Sequence, residues 1–338
     1  MKNYEWFMGI DVSKGKLDIT LLKGSEKVHY AAIENSVSSI AAFVKELQQI
    51  EGFEMCKCLV CAEHTGIYNA HLLTVSQKQL WNLCLESAVQ IKQSGGLQRG
   101  KNDAVDSYRI ALYVFKHQPF IKLWQPPREV ITKLKKLTTL RHRLINIKKQ
   151  LTQPLEADTA FETKQTSKLM QRICKAPVSS TEKSIAEVEK QIKEVIDSDV
   201  TLKRLFAIVE SVPGVGRIVA TEIIVTTNEF KNIDDPRKYA CYSGVAPFEH
   251  SSGSSVRGKT RTSKRANQRV KSLLHMASLT VMLHDKEMNI YYLRKVESGK
   301  NKMSVLNAIK NKLLHRIFAC VKGDRYYEKN YSQSLFKP

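Results

Sequence analysis

The sequence predicts an α/β domain over residues 1–124, a helical hairpin over 125–203 and a mainly helical region over 204–338. Three observations carry this. Apolar runs of strand length at Trp6 to Ile10 and Cys58 to Ala62 stand among segments of helical periodicity. From Val130 to Leu151 apolar residues recur at spacings of three and four. Beyond Leu205, a turn with two glycines leads into an apolar helical run.

In the first region, Trp6 to Ile10 reads as a buried strand, and the alternation from Lys16 to Leu22 suits the next strand of a meander. Helices are expected at Val37 to Gln49 and Tyr68 to Gln79, with Cys58 to Ala62 a short strand between them. Ser94-Gly-Gly-Leu-Gln-Arg-Gly-Lys-Asn102 is a basic loop rich in glycine, and Asp103-Ala-Val-Asp-Ser-Tyr-Arg-Ile-Ala-Leu-Tyr opens a helix. Gln125-Pro-Pro-Arg128 marks the boundary.

Four acids fall at the ends of these elements: Asp11, Glu63, Asp103 and Asp106. The last two stand at i and i+3 and so share a helical face. Gathered carboxylates repel one another unless cations neutralise them. Mg²⁺ or Mn²⁺ meets that need, and two such ions ~3.5–4 Å apart stabilise both the attacking and the leaving oxygen of a phosphate ester. Taken singly, each acid has a plainer account: a turn cap for Asp11, a solvated strand end for Glu63, helix-dipole charge for Asp103 and Asp106.

In the second region Val130, Leu134, Leu137, Leu140, Leu144, Ile147 and Leu151 form an apolar stripe of coiled-coil type, with a strongly basic opposite face. Ser179-Ser-Thr-Glu182 reads as a capping box opening a second helix with Ile185, Val188, Ile192 and Val195 as its stripe. An antiparallel hairpin follows, with the polar stretch from Pro154 to Pro177 as its connection. The stripe suits packing or dimerisation, and the basic faces suit either solvent or nucleic acid.

The third region opens with Val212-Pro-Gly-Val-Gly216, in the manner of a helix-hairpin-helix. Gly214 and Gly216 there would let backbone amides approach a phosphate, or would simply form a tight turn. Between Glu249 and Asp285 there is no acid, yet Arg257, Lys259, Arg261, Lys264, Arg265, Arg269 and Lys271 fall there, a density suited to phosphate binding.

Charge agrees. The 338 residues include 54 Lys and Arg against 33 Asp and Glu, a net charge of +21, which favours a polyanionic partner. Nucleic acid is preferred to a membrane, because no apolar stretch approaches ~18 residues and no secretory signal opens the chain; a cytosolic location is expected. Seven scattered cysteines argue for reduced thiols. Cys56-Lys-Cys-Leu-Val-Cys-Ala-Glu-His64 carries zinc-ligand residue types, but strand alternation sends Cys56 and Cys58 to one face and Cys61 to the other.

The order of the acids resembles the RuvC-like branch of the RNase H fold. Together with Gly9-Ile-Asp-Val-Ser-Lys14, Lys101-Asn-Asp-Ala-Val-Asp106, Val212-Pro-Gly-Val-Gly216 and Ser243-Gly-Val-Ala-Pro followed by Ser252-Gly253, it makes nearly the whole chain similar to the DEDD insertion-sequence transposases. These are relatives of the Piv DNA invertases and are known as bridge-RNA-guided recombinases. The resemblance implies a RuvC-like domain, a central coiled-coil hairpin and a C-terminal transposase domain. It implies metal-binding acids at Asp11, Glu63, Asp103 and Asp106 and a nucleophilic serine at Ser252, with Ser251 the competing register. It implies donor and target double-stranded DNA, a structured guide RNA, and a dimer or tetramer whose active site joins residues of different protomers. Two other classes are consistent with the residues: a junction nuclease that activates water with the same acids, and a non-catalytic nucleic-acid scaffold.

Overall fold

The computed structural model describes residues 3–95, 102–157, 163–252, 256–263 and 266–329, with the backbone alone for 154–157 and 249–261. The chain forms two compact units, Met1–Pro126 and Pro127–Pro338.

The first unit is mixed α/β. Its strands are β1 (Trp6–Val12), β2 (Lys16–Lys23), β3 (Glu26–Glu34), β4 (Cys58–Glu63) and β5 (Asn82–Glu86), in the order β3-β2-β1-β4-β5. β1, β2 and β3 run antiparallel, whereas β1, β4 and β5 are parallel. Both outer strands, β3 and β5, went unread in the sequence. β3 alternates exposed and half-buried residues and β5 is only five residues long, so neither shows the apolar run of a central strand.

Strand alternation builds a core on each face. Trp6, Met8 and Ile10 pack with Cys58 and Val60 beneath α1 (Val37–Leu47) and α2 (Ala70–Lys78). Phe7, Leu59 and Cys61 pack on the other side with Ile91 of α3 (Ala88–Ser94) and with Ile110, Ala111 and Val114 of α4 (Asp103–His117). Cys58 and Cys61 thus lie on opposite faces, both as free thiols. α2 begins later than expected because Gly66–Asn69 forms a 3-10 turn first.

The second unit opens with two long helices, α5 (Glu129–Ala157) and α6 (Lys164–Asp197). They run antiparallel: Arg141 pairs with Glu189 at 2.7 Å, and seven residues later Lys148 pairs with Glu182 at 2.7 Å. The expected helix start at Ser179-Ser-Thr-Glu182 is corrected. α6 begins at Lys164, capped by Thr163, and runs through Pro177 and the whole supposed box. Thr181 Oγ1 donates back to the Pro177 carbonyl at 2.7 Å, and Ser184 Oγ to Ser180 at 3.1 Å. A hydroxyl has two options in a helix, cap or back-bond, and sequence spacing does not choose between them.

α7 (Val200–Glu210) and α8 (Arg217–Thr227) follow, joined by the turn containing Gly214. After α9 (Pro236–Tyr242) comes the hairpin β6 (Pro247–Ser252) and β7 (Val256–Thr262), then α10 (Gln268–His284), α11 (Lys286–Glu297) and α12 (Lys302–Lys322). One core joins Ile131, Leu134, Val188 and Ile192 of the long helices to Leu274, Ile309 and Leu313 of the C-terminal ones. Arg128 ties the entrance of α5 to this body through Asp199 at 2.6 Å and Glu229. Glu229 sits in three successive left-handed residues, Asn228 to Phe230. No helix among the described residues is long and apolar enough to cross a membrane.

Candidate active site

The acids converge because of how three elements meet. Asp11 lies at the end of β1, where it pairs in register with Asp18 of β2. On the other side, Ile10 pairs with Ala62 of β4, so the next residue on each parallel strand is Asp11 and Glu63 respectively. Adjacent strands lie ~4.8 Å apart. α4 then brings Asp103 and Asp106 from its first turn.

Gly9 sets that helix. A Cβ at Gly9 would overlap the Ala111 nitrogen and the Ser107 carbonyl oxygen, so only glycine lets α4 lie directly on β1. Thr20, the register partner of Gly9, shares a buried hydroxyl hydrogen bond of 2.8 Å with Ser107. The Asp-x-x-Asp turn, one turn before Ser107, is thereby carried to the carboxyl end of β1. Asn102 caps the helix by accepting from the Ala104 amide at 3.1 Å.

The electrostatics record the convergence. The Asp11 carboxyl is pushed up to about 6, first by burial and then by the charges of Glu63, Asp103, Asp106 and Asp18. Lys16 holds Asp103 at 2.7 Å and Asp18 at 3.2 Å, and these hydrogen bonds, Asp103 first, hold its ammonium protonated. Arg109 donates to Asp106 at 2.9 Å. Asp18 is almost fully buried and accepts from the Tyr30 hydroxyl at 2.7 Å. Among the described residues no three carboxylates stand close enough to form a ready ligand set, and Lys16 and Arg109 supply the countercharge. The donor set is nonetheless all hard oxygen, of the kind divalent Mg²⁺ or Mn²⁺ takes.

Gly9, Lys16 and Asp18 were missed as site residues. Lys16 and Asp18 share one face of β2, but only the register of β2 against β1 brings them beside Asp11.

The second unit carries the other expected residues. Ser251 and Ser252 end β6, opposite Arg257 and Val256. Arg257, Lys259 and Arg261 lie on β7, where they are described by backbone alone, while Lys264 and Arg265 fall outside the described residues. Arg269 bonds internally to Glu222 at 2.6 Å and to the Thr138 carbonyl at 2.9 Å. Lys271 donates to Thr262 at 3.0 Å. Gly216 is the exposed N-cap of α8. Gly214 has φ +84°, and a Cβ there would meet Val281 of α10 at 2.7 Å, so its conformation and close packing account for glycine.

The candidate site is thus a strand-end pair of acids beside a helical Asp-x-x-Asp in the first unit, with the serine hairpin in the second. The chain belongs to the DEDD insertion-sequence transposases: the DEDD transposase profile of IS110 type matches residues 8–157, and that of the transposase IS116/IS110/IS902 family matches 207–293. Similar along nearly its whole length are the pilin gene-inverting proteins of Moraxella bovis, 22% identical, and of Moraxella lacunata, 25% identical, each over 96% of this chain and 98% of the relative. An insertion element IS110 protein of 43.6 kDa from Streptomyces coelicolor is 24% identical over 45% of this chain and 37% of its own.

Proposed function

We propose that this transposase cuts and rejoins DNA with Asp11, Glu63, Asp103 and Asp106 as ligands for Mg²⁺ or Mn²⁺ and Ser252 as nucleophile, directed to its sites by a structured RNA. One observation carries the metal reading: the Asp11 carboxyl is held up to about 6 by burial and by the other carboxylates directed at it. Such a cluster is costly unless a cation neutralises it. The bound metal would supply Lewis-acid stabilisation of charge on a phosphate. Lys16 and Arg109 would hold Asp103 and Asp106 in place before the cation arrives.

Ser252 Oγ would attack a DNA phosphorus. The new bond is Oγ–P, the broken one P–O3′, and the serine proton leaves to a base or solvent while the 3′ oxygen is released as a hydroxyl. Attack of a 3′ hydroxyl on the phosphoserine restores the serine, so strand exchange conserves phosphodiester energy. Arg257, Lys259 and Arg261, with Lys264, Arg265, Lys271 and the amide end of α8 after Gly216, are proposed contacts for nucleic-acid phosphates, whereas Arg269 is engaged by Glu222 and Gly214 by packing. Guidance by a structured RNA rests on family resemblance, and a discrete RNA copurifying with the chain is the expected finding.

Asp11→Asn is expected to abolish strand cleavage with RNA binding intact. A nicked suicide substrate is expected to trap wild-type protein as an adduct mapping to Ser252, and Ser252→Ala to give none. Cleavage that persists in Asp11→Asn would end the metal reading. Cleavage without any adduct would instead favour activated water.

A further inference from the structure

Among the described residues, the C-terminal helices hold basic groups with no ion-pair partner. Lys310, on α12, is only 4% exposed, yet no hydrogen bond or ion pair engages it among the described residues. His275, on α10, has a buried Nδ1 with no hydrogen-bond partner. Lys271 stands one helical turn before His275, and the charges of Lys271 and His275 both couple to Lys310. Burial and this mutual repulsion lower the Lys310 ammonium and the His275 imidazolium below their ordinary ranges, with burial the larger cause for each. No carboxylate figures among those influences.

The place is defined by its neighbours. Lys271 Nζ donates to Thr262 Oγ1 at 3.0 Å, and Thr262 pairs with Pro247 at the base of the β6–β7 hairpin. Asn307, one turn before Lys310 on α12, donates to the Val245 carbonyl at 2.6 Å just before β6. A Cβ at Gly244 would meet Lys271 Cδ at 3.4 Å and collide with Ala266, so the chain there is tight against α10. Lys310, a half-buried imidazole and a second amine are thus grouped at the root of the strand pair that bears the serines, with no carboxylate paired to them among the described residues. Basic side chains grouped without a counter-charge suit a tetrahedral oxyanion.

We propose that Lys271, His275 and Lys310 form a recess that takes one phosphate of a nucleic-acid backbone. This rests on the reading that the second unit binds nucleic acid. It does not make Lys310 the base for Ser252: Ser252 stands five residue steps along the strand from Pro247, about 17 Å at ~3.4 Å per residue. Lys310 is a positioning residue that anchors the strand several nucleotides from the serines.

The test joins stability to binding, using full-length Lys310→Met, Lys310→Arg and, as control, Lys302→Met at the exposed start of α12. Duplex DNA of generic sequence and an RNA stem-loop serve as probes, each titrated across a salt series. Lys310→Met is expected to raise the melting temperature of the free protein, because it removes a partly desolvated ammonium that Lys271 repels. It is also expected to weaken binding several-fold and to lower the log–log salt slope by about one unit. Lys310→Arg should keep the slope, and Lys302→Met should leave the melting temperature unchanged. Loss with the duplex, the stem-loop or both identifies whose phosphate is held. Unchanged affinity and slope with both probes, or a lower melting temperature for Lys310→Met, would overturn the proposal. Because binding is the readout, the result is independent of whether Ser252 forms an adduct.

Discussion

Asp11 is a residue whose fold and proposed chemistry pull in opposite directions. Its folded carboxyl is raised from 3.8 to about 6, so ionising it costs stability that the unfolded chain does not pay. The favourable contribution is fully present below pH 3.8 and is lost as pH rises through about 6. In metal-free protein, Asp11→Asn is therefore expected to match wild type near pH 4 and to melt higher at pH 7. For a gain of roughly 1 kcal/mol the shift would be about 2–4 °C. Saturating Mg²⁺ should shrink that difference, because only wild type would gain a ligand. Melting curves across pH decide it: a difference independent of pH, or wild type the more stable at pH 7, would remove the convergence from the account. The acids themselves were legible in the sequence from strand ends and helical spacing. Asp18 was not, because membership of the cluster came from strand register, Asp11 opposite Asp18, and that is a property of two strands together.

At the scale of elements, propensity and packing disagree most openly in α6. The sequence favours a break at Pro177 and a fresh start at Ser179, yet one helix of 34 residues spans both. Proline costs a helix interior roughly 3 kcal/mol, through the missing amide and the clash with the preceding turn. That cost is met by burial along α5, where Val188, Ile192 and Val195 join the core, and by the ion pairs at Glu182 and Glu189. Pro177→Ala is accordingly expected to raise helicity and to stabilise the second unit by up to about 3 kcal/mol, read by circular dichroism during urea unfolding. A loss of stability would mean that the proline shapes the helix pair. The central strands and α1 were readable because each carries its own apolar period. β3, β5 and α3 were not, since an edge strand or a seven-residue helix takes its conformation from the neighbour it covers.

For the whole molecule, the acids lie in one unit and the serines in the other. Ile147, Leu169, Met170 and Ile173 remain exposed on α5 and α6, away from the buried end of the pair. A patch of this kind is consistent with the expected dimer or tetramer. If active sites join residues of different protomers, a mixture of Asp11→Asn and Ser252→Ala proteins should recover part of the recombination that each lacks alone. No recovery, with co-assembly confirmed by pull-down of differently tagged copies, would count against shared sites.

By itself the sequence determined the family, the order of the acids and the basic character of the C-terminal region, because these depend on residue identity and short-range period. Tertiary structure alone decided that α4 could lie on Gly9, that Asp18 joins the acids, that Arg269 is spent on Glu222, and that Lys310 is buried beside two other basic groups. Each of these is a contact between residues far apart in the chain. Charge and packing act through space, and a one-dimensional pattern holds no record of which distant side chain will share the same few ångströms.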